Sequence, residues 1–84
     1  MPYEPPTESV PPYLKIAADI EADIRSGKLA PGALVPSLSY LAQTHDVSRN
    51  TVVRAMNVLK MKRLVVSRQG WGTFVVTQIP GAES

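Results

Sequence analysis

Cysteine is absent from the 84 residues and histidine occurs once, at His45. The first absence excludes a disulfide framework, a thiolate metal site and a thiol nucleophile. The second excludes a histidine pair or a His-rich metal cluster. No apolar run approaches the ~20 residues that a bilayer-spanning helix needs. The longest, such as Leu64–Val65–Val66 and Phe74–Val75–Val76, are strand-sized. Residues 1–12 hold acids and prolines where a signal peptide would have a basic and then an apolar stretch. There is no base–nucleophile set and no phosphate-cradling Gly-rich loop followed by Lys. These absences point away from an enzyme, from a metal or cofactor site and from a membrane partner, and make the cytoplasm the expected location.

What is present fits one small domain: 9.1 kDa, 44% apolar, with the prolines gathered mainly at the ends. The net charge is only +2, but it is sorted along the chain. Residues 1–44 carry Lys15, Arg25 and Lys28 against Glu4, Glu8, Asp19, Glu21 and Asp23, a net of −2. Residues 45–84 carry Arg49, Arg54, Lys60, Lys62, Arg63 and Arg68 against Asp46 and Glu83, a net of +4. An acidic back and a basic face follow, and a basic face attracts a polyanion through steering and counterion release.

Residues 1–12 hold five prolines and no apolar period, and read as a disordered arm. Residues 78–84 read as a flexible tail, leaving a folded domain over 13–77. A first helix is expected over 13–26, with Leu14, Ala17, Ile20 and Ile24 at helical spacing and Ile16 beside them. Pro12 suits its first turn, and Gly27 ends it. In the loop that follows, Ala33–Leu34–Val35 can add a short strand. Ser37 caps a short second helix over 38–45, Asp46–Val47 makes a tight turn, and Ser48 caps a third helix over 49–61. The buried stripe of that helix is Val52, Ala55, Met56 and Leu59. Leu64 to Ser67 and Thr73 to Thr77 form a β-hairpin around a turn with two glycines. Helix, helix, tight turn, polar helix, hairpin is the order of a winged helix-turn-helix: mainly α, with a two- to three-stranded antiparallel wing.

Three segments carry a family resemblance: Gly32 with the Leu29 and Pro31 before it, the run Val47–Ser48–Arg49–Asn50–Thr51–Val52, and Gly70–Trp71–Gly72–Thr73–Phe74–Val75. In this order and spacing the chain, over about residues 13–76, resembles the winged-helix DNA-binding domain of the GntR family of bacterial transcription regulators. It departs from the family's pattern at four places. Leu38 and Ser39 stand where an acid and a phosphate-binding arginine are usual. Val53 stands where arginine is frequent, Arg63 where glycine ends the third helix, and Trp71 where wing residues are small or basic. The resemblance also implies a larger C-terminal domain that binds an effector and dimerises.

Taken with that resemblance, the residue chemistry gives a candidate interface. Ser48 and Arg49 stand at a helix N-terminus, where free N–H groups favour an anion. Arg49 suits a phosphate or guanine O6/N7, Asn50 suits adenine N6/N7, and Thr51 a phosphate or a thymine methyl. Val53 fits a thymine methyl or else extends the core stripe. Arg54 reaches DNA or pairs with an acid on the first helix. Arg68, Gln69 and Gly70 place the wing at the minor groove. Secondary candidates are Ser37, Ser39, Tyr40, Asn57 and Trp71. Trp71 is expected to pack partly across the hairpin onto Ala33–Val35, and Tyr13 and Tyr40 to be core or boundary residues. The functional expectation is sequence-specific binding of double-stranded DNA by a repressor. The isolated chain is expected to be monomeric, since the helix isoleucines and hairpin valines all go to one core, and to pair on DNA or through a C-terminal domain. The alternative is a winged-helix protein–protein module, which predicts a neutral or acidic third helix.

Overall fold

The computed structural model describes residues 10–78. The element order is α1 (Pro12–Ser26), α2 (Leu38–His45), α3 (Arg49–Met61), β1 (Val65–Arg68) and β2 (Gly72–Val75). The expected arm and tail lie, at 1–9 and 79–84, outside the described residues.

Local chemistry accounts for each boundary. Pro12 opens α1, where its missing N–H costs no hydrogen bond, and Gly27 closes it at φ 89°. Ser37 Oγ accepts from Tyr40 N at 3.1 Å and Ser48 Oγ accepts from Thr51 N at 3.2 Å, capping α2 and α3. Between those helices Asp46 takes φ 57°, and the next N–H, of Val47, reaches back to Ala42 O at 2.9 Å. α3 ends on a non-glycine in the same conformation. Arg63 has φ 61°, donating to Lys60 O at 2.9 Å, while Leu64 N donates to Leu59 O at 2.9 Å. These paired bonds form a Schellman end, and the two leucines that accompany it are fully buried.

The core is a single cluster: Ile16, Ala17, Ile20 and Ile24 of α1, Leu41 and Ala42 of α2, Val52, Ala55, Met56 and Leu59 of α3, and Val35, Leu64, Val65 and Val75. Leu14 is not in it and is 38% exposed. On the helical wheel it stands about 90° from the centre of the Ala17–Ile20–Ile24 stripe, whereas Ile16 stands about 70° away on the other side. The hairpin pairs Val65 with Val75, Val66 with Phe74, Ser67 with Thr73 and Arg68 with Gly72. Both strands are displaced from expectation: Leu64 belongs to the helix end, and β2 begins at Gly72.

The loop before α2 supplies the third strand as a bridge from Leu34 to Phe74. Val35 N donates to Thr73 O and Val75 N to Ala33 O, both at 2.8 Å. Valines 65 and 75 enter the core, but Val66 is 42% exposed and Leu34 57%. Strand alternation places Val66, Phe74 and Leu34 in one row across the outer face of the sheet, so the hairpin does not commit all its apolar side chains to the core. Trp71, expected to be partly packed onto residues 33–35, is left mostly exposed. It is 76% exposed at the turn, between Gly70 at φ 81° and Gly72 at φ 117°, and Phe74 makes the bridge instead.

Candidate nucleic-acid interface

The N-terminus of α3 is built by two hydroxyls. Ser48 Oγ and Thr51 Oγ1 lie 3.0 Å apart, and Ser48 Oγ also accepts from Thr51 N. The pair holds two hydroxyl protons and uses one between them. Whichever donates, one proton remains for an outside acceptor, beside the free N–H groups of the first helical turn. Arg49 and Asn50 follow, both exposed. Thr51 is half-buried, with its backbone N–H engaged in the cap.

The outward face of α3 follows from the helical period. Arg49, Val53, Asn57, Asn50 and Arg54 span an arc of about 140°. Val52, Ala55, Met56 and Leu59 cover the opposite side and are all buried. Val53 is 37% exposed, on the outward side and outside the core cluster. Two residues that were not singled out from the sequence share this face. Lys60 stands within about 20° of Arg49 on the wheel, and Met61 is 83% exposed. The period alone was a sufficient signal for Lys60.

Arg54 has a partner on α1, but it is not an acid. Its guanidinium carbon lies 4.2 Å from the centroid of the Tyr13 ring. One acid on that helix, Glu21, accepts instead from Lys62 Nζ and Arg25 Nε, each at 2.9 Å. Those two hydrogen bonds, Lys62's the larger, hold the Glu21 carboxyl below its ordinary value.

The N-terminus of α2 brings a smaller set. Ser37 is the cap, its oxygen engaged by Tyr40 N. Ser39 is exposed. Tyr40, expected at the core or its boundary, is 59% exposed, because the buried positions of this two-turn helix are Leu41 and Ala42. In the wing, Trp71 N donates to Arg68 O at 2.9 Å, which closes a turn with Gly70 at its third position. Positive φ is required there, as in a type II turn. Arg68, Gln69, Trp71 and Phe74 line an open hollow of about 610 Å³. Among the described residues no group of acids or histidines has metal-site geometry, and no helix is long and apolar enough to cross a membrane.

The family model for the bacterial regulatory proteins of the gntR family matches residues 12–75. The chain belongs to the GntR family. The HTH-type transcriptional regulator GgaR of Escherichia coli K12 is 36% identical over 66 residues, which are 79% of this chain and 27% of GgaR. The GntR chain thus spans about a quarter of the length of the curated relatives it matches. Among solved structures, the AraR DNA-binding domain in complex with operator ORX1 is 34% identical, with a TM-score of 0.79 over 90% of this chain and 93% of that one. The N-terminal domain of AraR in complex with mutant ORR3 is 36% identical, with a TM-score of 0.77 over 80% and 96%. The relatives are named as transcriptional regulators, not enzymes, and the neighbours share the winged-helix fold described above.

Proposed function

We propose that this GntR-family chain binds double-stranded operator DNA in a sequence-dependent way and acts as a repressor. In this reading α3 enters the major groove and the wing lies against the neighbouring minor groove. The observation that carries it is the outward face of α3. An interaction module would present an apolar or acidic patch there. This face instead offers Arg49 and Asn50 for base edges, Val53 for a thymine methyl, Arg54 and Asn57 for backbone or base, and the capped N-terminus with Ser48 and Thr51 for a phosphate. Arg68, Gln69 and Gly70 serve the wing contact, with Trp71, Tyr40, Ser37 and Ser39 at the margins. The likeness to the AraR domain, whose solved structures hold operator DNA, supports the same reading. Repression requires only occupancy of a promoter.

The protein is monomeric when free and pairs on neighbouring half-sites, because a single domain reads too few base pairs to be selective in a genome. Further pairing comes from a C-terminal domain where the chain continues into one. The protein works in the cytoplasm. Selection from a random duplex pool, followed by titration of the recovered duplex at two salt concentrations, tests this. A recovered consensus and a steep fall in affinity with salt are expected. Salt-independent binding, or no enrichment over several rounds, would refute it.

A further inference from the structure

α1 and α3 lie side by side with a matched repeat. Tyr13 faces Arg54 at one end of the seam, and Glu21 faces Lys62 at the other. Each residue of the second pair is eight positions after its counterpart in the first, so the helices run in the same direction. Midway on each stripe stand Ala17, buried, and Val58, half-buried against the core. A cation stands at both ends, Arg54 within α3 and Lys62 at its C-cap, but α1 meets the two differently. The Glu21 carboxylate neutralises Lys62 and accepts from its ammonium. A tyrosine ring attracts a guanidinium through its face and neither cancels the charge nor occupies the N–H donors at the guanidinium edge.

We propose that Tyr13 is a positioning residue for nucleic-acid binding. Its ring holds Arg54 in place, charged and with its donors outward, as a ligand for a backbone phosphate. Arg54 stands at the rim of the outward arc of α3, on the side next to α1, whereas Val53, Asn57 and Asn50 occupy the middle. A residue at the rim of a helix seated in a groove meets the groove wall, which is phosphate, before the base edges. The stack fixes a long side chain before binding, so less of its rotamer freedom is lost on contact. This inference rests on the DNA-binding reading and is separable from it.

The test compares the parent with Tyr13→Leu, Tyr13→Phe, Arg54→Met and the double variant Tyr13→Leu/Arg54→Met. Each is titrated, at two salt concentrations, against a duplex recovered from a random pool and an unrelated duplex of equal length. Tyr13→Leu should bind both duplexes about three- to tenfold more weakly and with a shallower salt slope. Tyr13→Phe should bind as the parent does. Arg54→Met should lower the slope by about one unit, and the double variant should match Arg54→Met. Parental affinity in Tyr13→Leu, or the same loss from Tyr13→Leu in the Arg54→Met background, overturns the proposal while leaving DNA binding intact. A loss on the selected duplex alone overturns the phosphate assignment. Thermal melts accompany each titration, with Tyr13→Ile as a second apolar replacement. If neither apolar variant folds, the ring is a structural part of the core and the positioning role fails. A parent that enriches no duplex overturns both readings.

Discussion

Arg63→Gly is expected to stabilise the domain. Arg63 holds φ 61°, and its N–H together with that of Leu64 closes the last turn of α3 on Lys60 O and Leu59 O. Both bonds come from the backbone and survive the substitution. What changes is the Cβ, whose contact with the following carbonyl in the left-handed region costs about 1–2 kcal/mol. Glycine removes that strain, but the unfolded chain gains freedom worth about 0.5–1 kcal/mol. The difference favours the variant by about 0.5–1 kcal/mol, and for a domain of this size that raises Tm by about 3–6 °C. Arg63→Ala is the control. It removes the same charge and keeps the Cβ, so its Tm should not exceed the parent's. Thermal unfolding followed by far-UV circular dichroism, at fixed pH and salt, reads all three. A glycine variant that melts at or below the parent, or an alanine variant that gains as much as glycine, would refute the strain argument.

Ile20 is 4% exposed in the centre of the α1 stripe. Ile20→Ala should cost about 2–4 kcal/mol, and a Tm within a degree or two of the parent's would show that α1 is peripheral. Arg49→Ala should weaken binding to a selected duplex by about 1–3 kcal/mol if the side chain reads guanine. A loss equal on all sequences, with a smaller salt slope, would assign it to phosphate instead, and unchanged binding on both would remove α3 from the interface. The Glu21 carboxyl has its pKa lowered in the folded state by Lys62 first and Arg25 second. A depressed folded value stabilises above the unfolded value, and that stability is lost as pH falls through the folded one. Glu21→Gln should therefore melt below the parent at neutral pH, with the gap closing below the ordinary value of 4.5. A gap that persists at low pH would mean the loss is not electrostatic.

Helices two and three were legible to the residue because each begins at a serine whose oxygen does one local job, receiving an N–H three residues on. Capping is written within four residues and needs no tertiary information. The strand limits were less legible. Leu64 has strand-like neighbours, but its N–H belongs to the end of α3, and that depends on Arg63 accepting a left-handed backbone. Trp71 reads as packing material by composition, yet at the turn it is left 76% exposed. The Tyr13–Arg54 stack was not legible at all. Its partners are 41 residues apart, and an aromatic at a helix start looks like any boundary residue. The candidate face of α3 was readable because a 3.6-residue period carries it, whereas the seam depends on how two helices come to lie together.

β2 is held along both edges. β1 pairs with one side, and residues 33–35 bind the other through bonds of 2.8 Å. Gly32 N adds a further bond to Val75 O at 2.9 Å. The wing is therefore clamped to the helical body and cannot swing as a free hairpin would. Its distance from α3 is a fixed gauge, like the jaws of a calliper. Under the proposed reading the duplex must adapt to that gauge. Base pairs that lie between the two contacts, touched by neither, are then selected for how easily they twist or bend to bring both grooves into register.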